Sequence, residues 1–220
     1  MAEPILIGTR GWDPPGWAGA YYPEILPADW RLSYYANNLR SVLVPAETWE
    51  QGAVSDVRLW AKDVDAEFRF VLELSAVHPA ESLPAFLALI EPIRPQVAGL
   101  LLRIPSTAAP DAVWLASRLD QLATVSPMCV DLSAAWRTPE MLACLTRHGS
   151  GLCWHADTEP APRLGGQLMV GLSTATEPRS LRRQLEALHA WQGEGGVAGL
   201  FFDNPEAAKQ ARLLAELMVV

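Results

Sequence analysis

Charged side chains that could do acid–base or anion-binding chemistry stand at the ends of short apolar runs in this chain. Glu73 lies near the end of PheArgPheValLeuGluLeuSer, Arg103 near the end of LeuLeuLeuArgIlePro, and Asp131 within CysValAspLeuSer. A carboxylate can accept a proton, and a guanidinium can polarise a substrate or clamp an anion. We therefore identify Glu73, Arg103 and Asp131 as candidate catalytic residues.

Further candidates for ligand contact follow other apolar runs or stand among aromatic residues. These candidate ligand-binding residues are Arg10, Trp12, Trp17, Trp49, His155, Asp157, Asp203 and Asn204. The indole rings could stack on a sugar or a base, although packing is the commoner role of Trp. A His bonded to a neighbouring carboxylate is favoured over a metal site for the His155 and Asp157 pattern, so no metal ligand is assigned.

Eight apolar runs have the length and composition of strands in a parallel sheet that is buried on both faces. They span residues 5–8, 41–46, 68–74, 98–104, 128–132, 151–155, 168–172 and 198–202. Helix-like stretches separate most of them, with expected N-caps at Ser82, Asp111, Thr138 and Asn204. Eight strands alternating with helices close the commonest parallel barrel. We predict an α/β fold, a TIM-like (β/α)8 barrel that occupies residues 1–220 as a single domain.

Two connections depart from the alternation of strands and helices. Residues 156–167 contain two Pro and two Gly, so we expect a short barrel whose sixth helix is reduced or missing. Residues 9–30 are irregular and rich in Pro, Gly and aromatic rings. Such a loop either lines a pocket or plugs the mouth of the barrel, and the sequence leaves both possibilities open.

The alternation of side chains along a strand decides whether the three candidate catalytic residues meet. Positions 68, 70, 72 and 74 are apolar and share one face, so Glu73 lies on the opposite face, toward the barrel interior. The same parity directs Arg103 and Asp131 inward from the next two strands. Because an unpaired charge there is costly, we predict that Arg103 bridges the two acids.

Two interpretations of this charge cluster remain open. The first is a satisfied ion network that fills the barrel mouth and has a purely structural role. The second is an acid–base or anion-binding site in which Glu73 or Asp131 accepts a proton and Arg103 clamps an anion.

The overall charge and hydropathy argue against nucleic acid and membranes as partners. A formal net charge of -8 argues against a broad grip on nucleic acid, which needs many basic side chains. No apolar run is long enough to cross a bilayer and no signal-peptide pattern is present, so we expect no membrane partner and a cytoplasmic location. Cys129, Cys144 and Cys153 form no CxxC pair, which is typical of buried thiols in a reducing compartment.

Motifs that would name a cofactor are absent from the sequence. It contains no phosphate-binding loop, no dinucleotide fingerprint and no nucleophile elbow, which argues against NTPases, ordinary dehydrogenases and α/β-hydrolases. The cofactor and the oligomeric state therefore stay open.

Several longer segments carry a resemblance to a known family. GlyThrArgGlyTrp at 8–12, TyrTyrProGluIleLeuProAlaAspTrp at 21–30 and SerTyrTyrAlaAsn at 33–37 resemble the opening signature of the domain of unknown function 72 (YecE-like) family. The resemblance continues through LeuArgIlePro at 102–105 to LeuPhePheAspAsn at 200–204. It covers nearly the whole chain and implies a TIM-like barrel related in shape to xylose isomerase and apurinic endonuclease barrels. It implies no established reaction.

The chain departs from the pattern of that family at most polar strand ends. The resemblance implies Lys where this chain has Glu73, Gln where it has Arg103, and an acid where it has Leu43. The first two changes amount to an exchange of charge between neighbouring strands. We interpret the chain as a divergent member.

Three classes of function remain open on the sequence. The first is a barrel that binds a small polar or anionic ligand and acts on it as a hydrolase-like enzyme. The second is a non-catalytic relative that keeps the pocket for ligand or protein interaction. The third is a metal-dependent nuclease, which only the shape kinship suggests and which the net charge of -8 disfavours.

Overall fold

Parallel strands form one curved sheet in the computed structural model of this chain, which describes residues 5–49, 54–76, 83–192 and 195–218. In chain order the nine strands are β1 Leu6–Arg10, β2 Ser41–Val44, β3 Arg69–Ser75, β4 Val97–Arg103, β5 Met128–Asp131, β6 Gly151–Leu152, β7 Trp154–His155, β8 Leu168–Ser173 and β9 Val197–Phe202. Their order across the sheet is β6-β5-β4-β3-β2-β1-β9-β8-β7. The two outermost strands of this order are consecutive in the chain, which makes the sheet a nearly closed barrel.

The sixth strand position of the barrel is split at Cys153. β6 pairs with β5 on one side, and β7 pairs with β8 on the other. The run predicted at 151–155 therefore occupies one position of an eight-position barrel as two short strands. No helix lies between β7 and β8, where residues 156–167 form turns and irregular chain. The TIM-like barrel with a missing sixth helix is confirmed.

Eight α-helices accompany the strands in the described part of the chain. They are α1 Arg31–Ala36, α2 Ala46–Trp49, α3 Val54–Asp63, α4 Leu83–Ile90, α5 Ala112–Leu122, α6 Pro139–Arg147, α7 Pro178–Gln192 and α8 Pro205–Met218. The caps predicted at Asp111, Thr138 and Asn204 are confirmed, because each accepts a hydrogen bond from a backbone N–H of the following first turn. The helix start predicted at Ser82 lies outside the described residues. None of the described helices is long and apolar enough to cross a bilayer.

Two strand boundaries differ from the prediction in ways that affect the site. The first strand was expected to end at residue 8, yet β1 continues to Arg10, which pairs with Leu43. The second was expected to reach residue 46, but β2 ends at Val44, because Pro45 has no N–H for the ladder and α2 begins at Ala46. Arg10 is therefore a strand residue at the carboxyl end of β1.

Apolar side chains occupy the barrel interior and the layer between strands and helices as two separate clusters. The interior cluster consists of Leu43, Val71, Leu101, Cys129, Cys153, Leu168, Val170 and Phe201. Glu73, Arg103 and Asp131 each stand two residues beyond a member of this cluster on the same strand. The predicted parity is confirmed, since the three charged side chains lie directly above the apolar interior.

The aromatic loop after β1 packs against helices. Trp17 lies edge-on to Tyr21 with ring centroids 5.1 Å apart, and Lys209 of α8 lies 4.6 Å from the Tyr21 ring. Trp12 packs edge-on against Trp60 of α3 at 4.9 Å. The loop is therefore held by ring contacts to the outer helices.

A buried tyrosine of α1 joins the first two strands. The Tyr35 hydroxyl accepts a hydrogen bond from the Thr9 N–H at 2.9 Å and donates one to the Ser41 carbonyl at 2.8 Å. Gly8 makes this close approach possible, because a Cβ at that position would lie 1.9 Å from the Ser41 oxygen. The tyrosine thereby fixes the strand that carries Arg10.

Replacing Tyr35 with Phe should lower the free energy of unfolding by about 1–3 kcal/mol, since the Thr9 N–H and the Ser41 carbonyl lose a buried partner. Urea denaturation followed by tryptophan fluorescence measures the change. The half-buried Tyr34 on the same helix is the matched control, and Tyr34→Phe should cost less. Equal losses in the two variants would contradict a special role for the Tyr35 hydroxyl.

Candidate functional site

The charged side chains predicted from the sequence meet at the carboxyl ends of the strands, around two adjoining clefts. The main cleft has a volume of about 860 Å³ and is lined by residues that include Glu73, Arg103, Asp131, Arg137 and His155. The side cleft has a volume of about 440 Å³ and is lined by residues that include Arg10, Arg103, His155, Asp157, Ser173 and Asp203. Arg103 and His155 line both clefts and therefore stand between them.

Glu73 is the most buried acid of the main cleft, with 4% of its side chain exposed. Arg10 donates from Nε and Nη2 to its two carboxylate oxygens at 3.0 Å each. Arg103 Nη1 reaches Glu73 Oε2 at 3.4 Å. Two guanidinium groups from β1 and β4 therefore share one carboxylate of β3.

Asp131 connects Arg103 to His155. Its Oδ2 lies 3.4 Å from Arg103 Nε, and its Oδ1 lies 2.9 Å from His155 Nε2. The predicted bridge from Arg103 to both acids is thus confirmed. Arg103 donates a hydrogen bond to Glu73, whereas its contact with Asp131 is an ion pair.

The Asp131–His155 contact changes the pKa of both groups. Burial acts to raise the pKa of Asp131, but the hydrogen bond from His155 and the nearby Arg103 and Arg137 charges outweigh it and lower that pKa. The same hydrogen bond raises the pKa of His155, against the effect of its burial. The contact therefore favours a carboxylate paired with an imidazolium.

Five side chains form a continuous charge chain across the mouth, in the order Arg10, Glu73, Arg103, Asp131 and His155. The acids are the buried members, since 4% of the Glu73 side chain and 12% of the Asp131 side chain are exposed. The cations are more open, at 29% for Arg10, 39% for Arg103 and 38% for His155. The charge chain therefore faces the clefts with its positive members.

The Asp157 carboxylate accepts hydrogen bonds from the end of β8, from the residue after it and from α7. It accepts hydrogen bonds from Ser173 Oγ at 2.9 Å, the Thr174 N–H at 2.6 Å and Gln184 Nε2 at 3.0 Å. Burial acts to raise the pKa of Asp157, but these hydrogen bonds lower it below the ordinary value. Asp157 lines the side cleft while its carboxylate oxygens are engaged by the loop.

Asp203 and Asn204 at the end of β9 have different places. Asp203 is exposed and lines the side cleft, as a ligand contact would require. The Asn204 side chain instead caps α8 by accepting from the Glu206 N–H at 2.9 Å. The Asn204 side-chain oxygen is thus engaged in helix capping, and its ligand-binding role stays a prediction.

The three Trp residues expected at the mouth lie outside the lining of both described clefts. Trp49 is 1% exposed and donates from Nε1 to the Glu73 carbonyl at 3.0 Å. Trp17 is 9% exposed and packs in the aromatic loop, while Trp12 contacts Trp60. The structure gives them packing roles, because a large ring is stabilised most by burial among apolar neighbours.

Three charged residues of the mouth were not predicted from the sequence. They lie beyond the strand ends, where the alternation of side chains no longer fixes which way a side chain points. Arg137 Nη1 pairs with Glu159 Oε1 at 2.7 Å, and Glu159 Oε2 accepts from the His155 N–H at 3.3 Å. Glu47 pairs with Arg10 at 3.1 Å. The signal that could have found them is their position a few residues after β2, β5 and β7.

Cys153 lies beneath the Asp131–His155 pair in the apolar interior. Its Sγ, a carboxylate oxygen of Asp131 and a ring nitrogen of His155 all lie within 4.8 Å of one another. Among the described residues, these three side chains are close enough together to hold a metal ion.

Comparison with family models identifies the relatives of this barrel. The model described as "Protein of unknown function DUF72" matches residues 6–220. The chain belongs to the DUF72 family. No curated protein matches it significantly.

Solved structures confirm the fold of this DUF72 chain at low sequence identity. A DUF72 family protein from Thermotoga maritima MSB8 has a TM-score of 0.72 and 16% identity, with 98% of this chain and 100% of that chain covered. One from Enterococcus faecalis V583 has a TM-score of 0.71 and 16% identity, with 100% of both chains covered. A D-psicose 3-epimerase, solved in the presence of D-fructose, has a TM-score of 0.52 and 8% identity, with 89% of this chain and 92% of that chain covered.

Replacing Glu73 with Gln should lower the free energy of unfolding by about 2–3 kcal/mol at neutral pH. Arg10 and Arg103 would then lose the carboxylate that they share in a buried position. Chemical denaturation followed by tryptophan fluorescence measures the loss.

Glu47 provides the matched control for this substitution, since it pairs with the same Arg10 but is 67% exposed. Glu47→Gln should change the free energy of unfolding by less than about 1 kcal/mol. Equal losses of unfolding free energy in Glu73→Gln and Glu47→Gln would show that burial of the Glu73 carboxylate has no special effect.

Proposed function

We propose that this DUF72 chain binds a small anionic ligand, such as a carboxylate or a phosphate ester, at the mouth of its barrel. One observation carries the proposal: the charge chain buries its acids and turns its cations toward the clefts. An anion at the mouth would meet N–H donors whose positions the buried carboxylates already fix.

Arg103 is the central element of this proposal. Its guanidinium uses Nη1 for Glu73 and Nε for Asp131, and Nη2 carries two further N–H donors. The side chain lines both clefts. A planar guanidinium held at two nitrogens is a directional donor for a carboxylate or phosphate group.

The surrounding charges favour a small anion over a polymer. Glu47, Glu159 and Asp203 stand among the lining residues of the clefts, and the chain carries a formal net charge of -8. A polyanion would meet these acids along its length, whereas a small ligand needs only the positive centre.

A hydrolase-like reaction on the bound anion is a second candidate function, favoured by the position of His155. This side chain lies on Asp131 and lines both clefts, within reach of a ligand held by Arg103. An imidazolium there could donate a proton to a leaving group. Both carboxylate oxygens of Glu73, by contrast, are engaged by guanidinium groups.

Thermal unfolding in the presence of anions tests the binding proposal. Phosphate, citrate and a sugar phosphate, each at constant ionic strength against chloride, should raise the melting temperature. A ligand at 100 times its Kd stabilises the folded state by about 2.7 kcal/mol. Arg103→Lys keeps the charge but removes the planar fork, and should abolish most of the shift.

Arg182 supplies the control for that substitution. It is exposed on α7, where it pairs with Glu186, and lies outside the lining of both described clefts. Arg182→Lys should leave the anion-induced shift unchanged. The proposal is wrong if none of these anions stabilises the protein, or if Arg103→Lys responds like the unmodified chain.

A further inference from the structure

Three side chains with different donor atoms converge where β5 meets the split sixth strand position. The pairing of Cys129 with Gly151 and of Val130 with Leu152 continues to place Asp131 beside Cys153, and the Cys153 N–H donates to the Val130 carbonyl at 2.9 Å. His155 stands two residues beyond Cys153, so both side chains share the interior face. The three donor atoms lie within 4.8 Å of one another.

We propose that Asp131, Cys153 and His155 form a zinc site at the base of the barrel mouth. Thiolate sulfur, imidazole nitrogen and carboxylate oxygen are the three donor types that zinc takes from proteins, whereas calcium and magnesium prefer oxygen alone. Three protein ligands leave a fourth tetrahedral position for water or an anion. The inference goes beyond the proposed anion binding and does not rest on it, and it replaces the proton-donating role of His155 by a ligating one.

The second oxygen of Asp131 already has the contact that a metal-bound carboxylate requires. Oδ2 lies against Arg103 Nε at 3.4 Å, while Oδ1 faces His155 at 2.9 Å. Zinc would take Oδ1 and the His155 nitrogen in place of their hydrogen bond, and Arg103 would continue to orient the carboxylate from outside. Such outer contacts are regular features of metal sites.

Proton balance allows zinc to enter without adding net charge to the site. With a carboxylate, an imidazolium and a neutral Cys153 thiol as the starting forms, the charges cancel before binding. Zinc displaces the thiol proton and one imidazolium proton, which leave to solvent. Two anionic ligands then balance the dication, so the net charge stays at zero and the cost of burying it is limited.

The metal also has a route to the site. Asp131 and His155 line the main cleft, and His155 is 38% exposed, whereas Cys153 lies fully buried below them. An ion would enter from the cleft through the exposed ligand and reach the thiolate last. The sequence alone favours a His hydrogen-bonded to a neighbouring carboxylate over a metal site at His155 and Asp157, and the fold directs Asp157 to Ser173 instead.

Cobalt substitution tests the site directly. The full chain, freed of metal with a chelator, is titrated with Co²⁺, and we expect binding of about one ion per chain with a near-ultraviolet thiolate-to-cobalt absorption band. Zn²⁺ should remove the band by displacement. Cys153→Ser should abolish the band, and His155→Ala should weaken Co²⁺ binding at least tenfold, as loss of a ligand does.

Cys129 and Cys144 are the matched controls. Cys129 is buried in the same interior cluster, and Cys144 has its own histidine neighbour, His148, with Sγ and Nδ1 3.7 Å apart. Cys129→Ser and Cys144→Ser should both retain the band. Absence of a band in the unsubstituted chain, or a band that survives Cys153→Ser, would overturn the inference.

Circular dichroism and a second variant keep this test decisive if Cys153→Ser is poorly folded. Cys153→Ala removes the sulfur without placing a hydroxyl in the apolar interior, and it should fold with no cobalt band. A folded Cys153→Ala chain that keeps the band contradicts the site. If anions stabilise the protein but cobalt does not bind, only the zinc site is refuted. If cobalt binds but no anion stabilises the protein, only the proposed function is refuted.

Discussion

The shared carboxylate of Glu73 is the interaction on which the mouth of this barrel depends. It is almost fully buried, so its charge must be balanced by partners within reach. Arg10 from β1 and Arg103 from β4 provide that balance. Without the acid between them the two guanidinium groups would repel each other. The same contacts that satisfy Glu73 therefore hold two cations in fixed positions at the edge of the clefts.

Part of the charge chain follows the DUF72 pattern that the sequence resembles, and part departs from it. Arg10 lies in the GlyThrArgGlyTrp segment that carries the resemblance, whereas Glu73 and Arg103 stand where the resemblance implies Lys and Gln. Relative to that implied pattern, this chain has an acid in place of a cation on the third strand and a cation in place of a neutral residue on the fourth. The positive group at the centre of the mouth therefore lies on β4 in this chain, where the acids on β3 and β5 orient it.

Alternation along the strands made much of the fold and the core of the site predictable. Val71, Leu101 and Cys129 fill the interior, so the parity of Glu73, Arg103 and Asp131 follows from covalent geometry alone. The two Pro and two Gly of residues 156–167 likewise excluded a helix. Tertiary partners decided the rest. Trp49 donates to the Glu73 carbonyl, and the split at Cys153 places a thiol beneath His155.

A double-mutant cycle between Glu73 and Arg103 measures how far the two side chains depend on each other. The free energy of unfolding is measured for the unsubstituted chain, for Glu73→Gln, for Arg103→Gln and for the double variant. We expect a coupling energy of about 1–3 kcal/mol, because Arg103 is one of the two cations that balance the buried Glu73 carboxylate. Additive effects to within about 0.5 kcal/mol would show that the two side chains do not depend on each other, and would contradict the account.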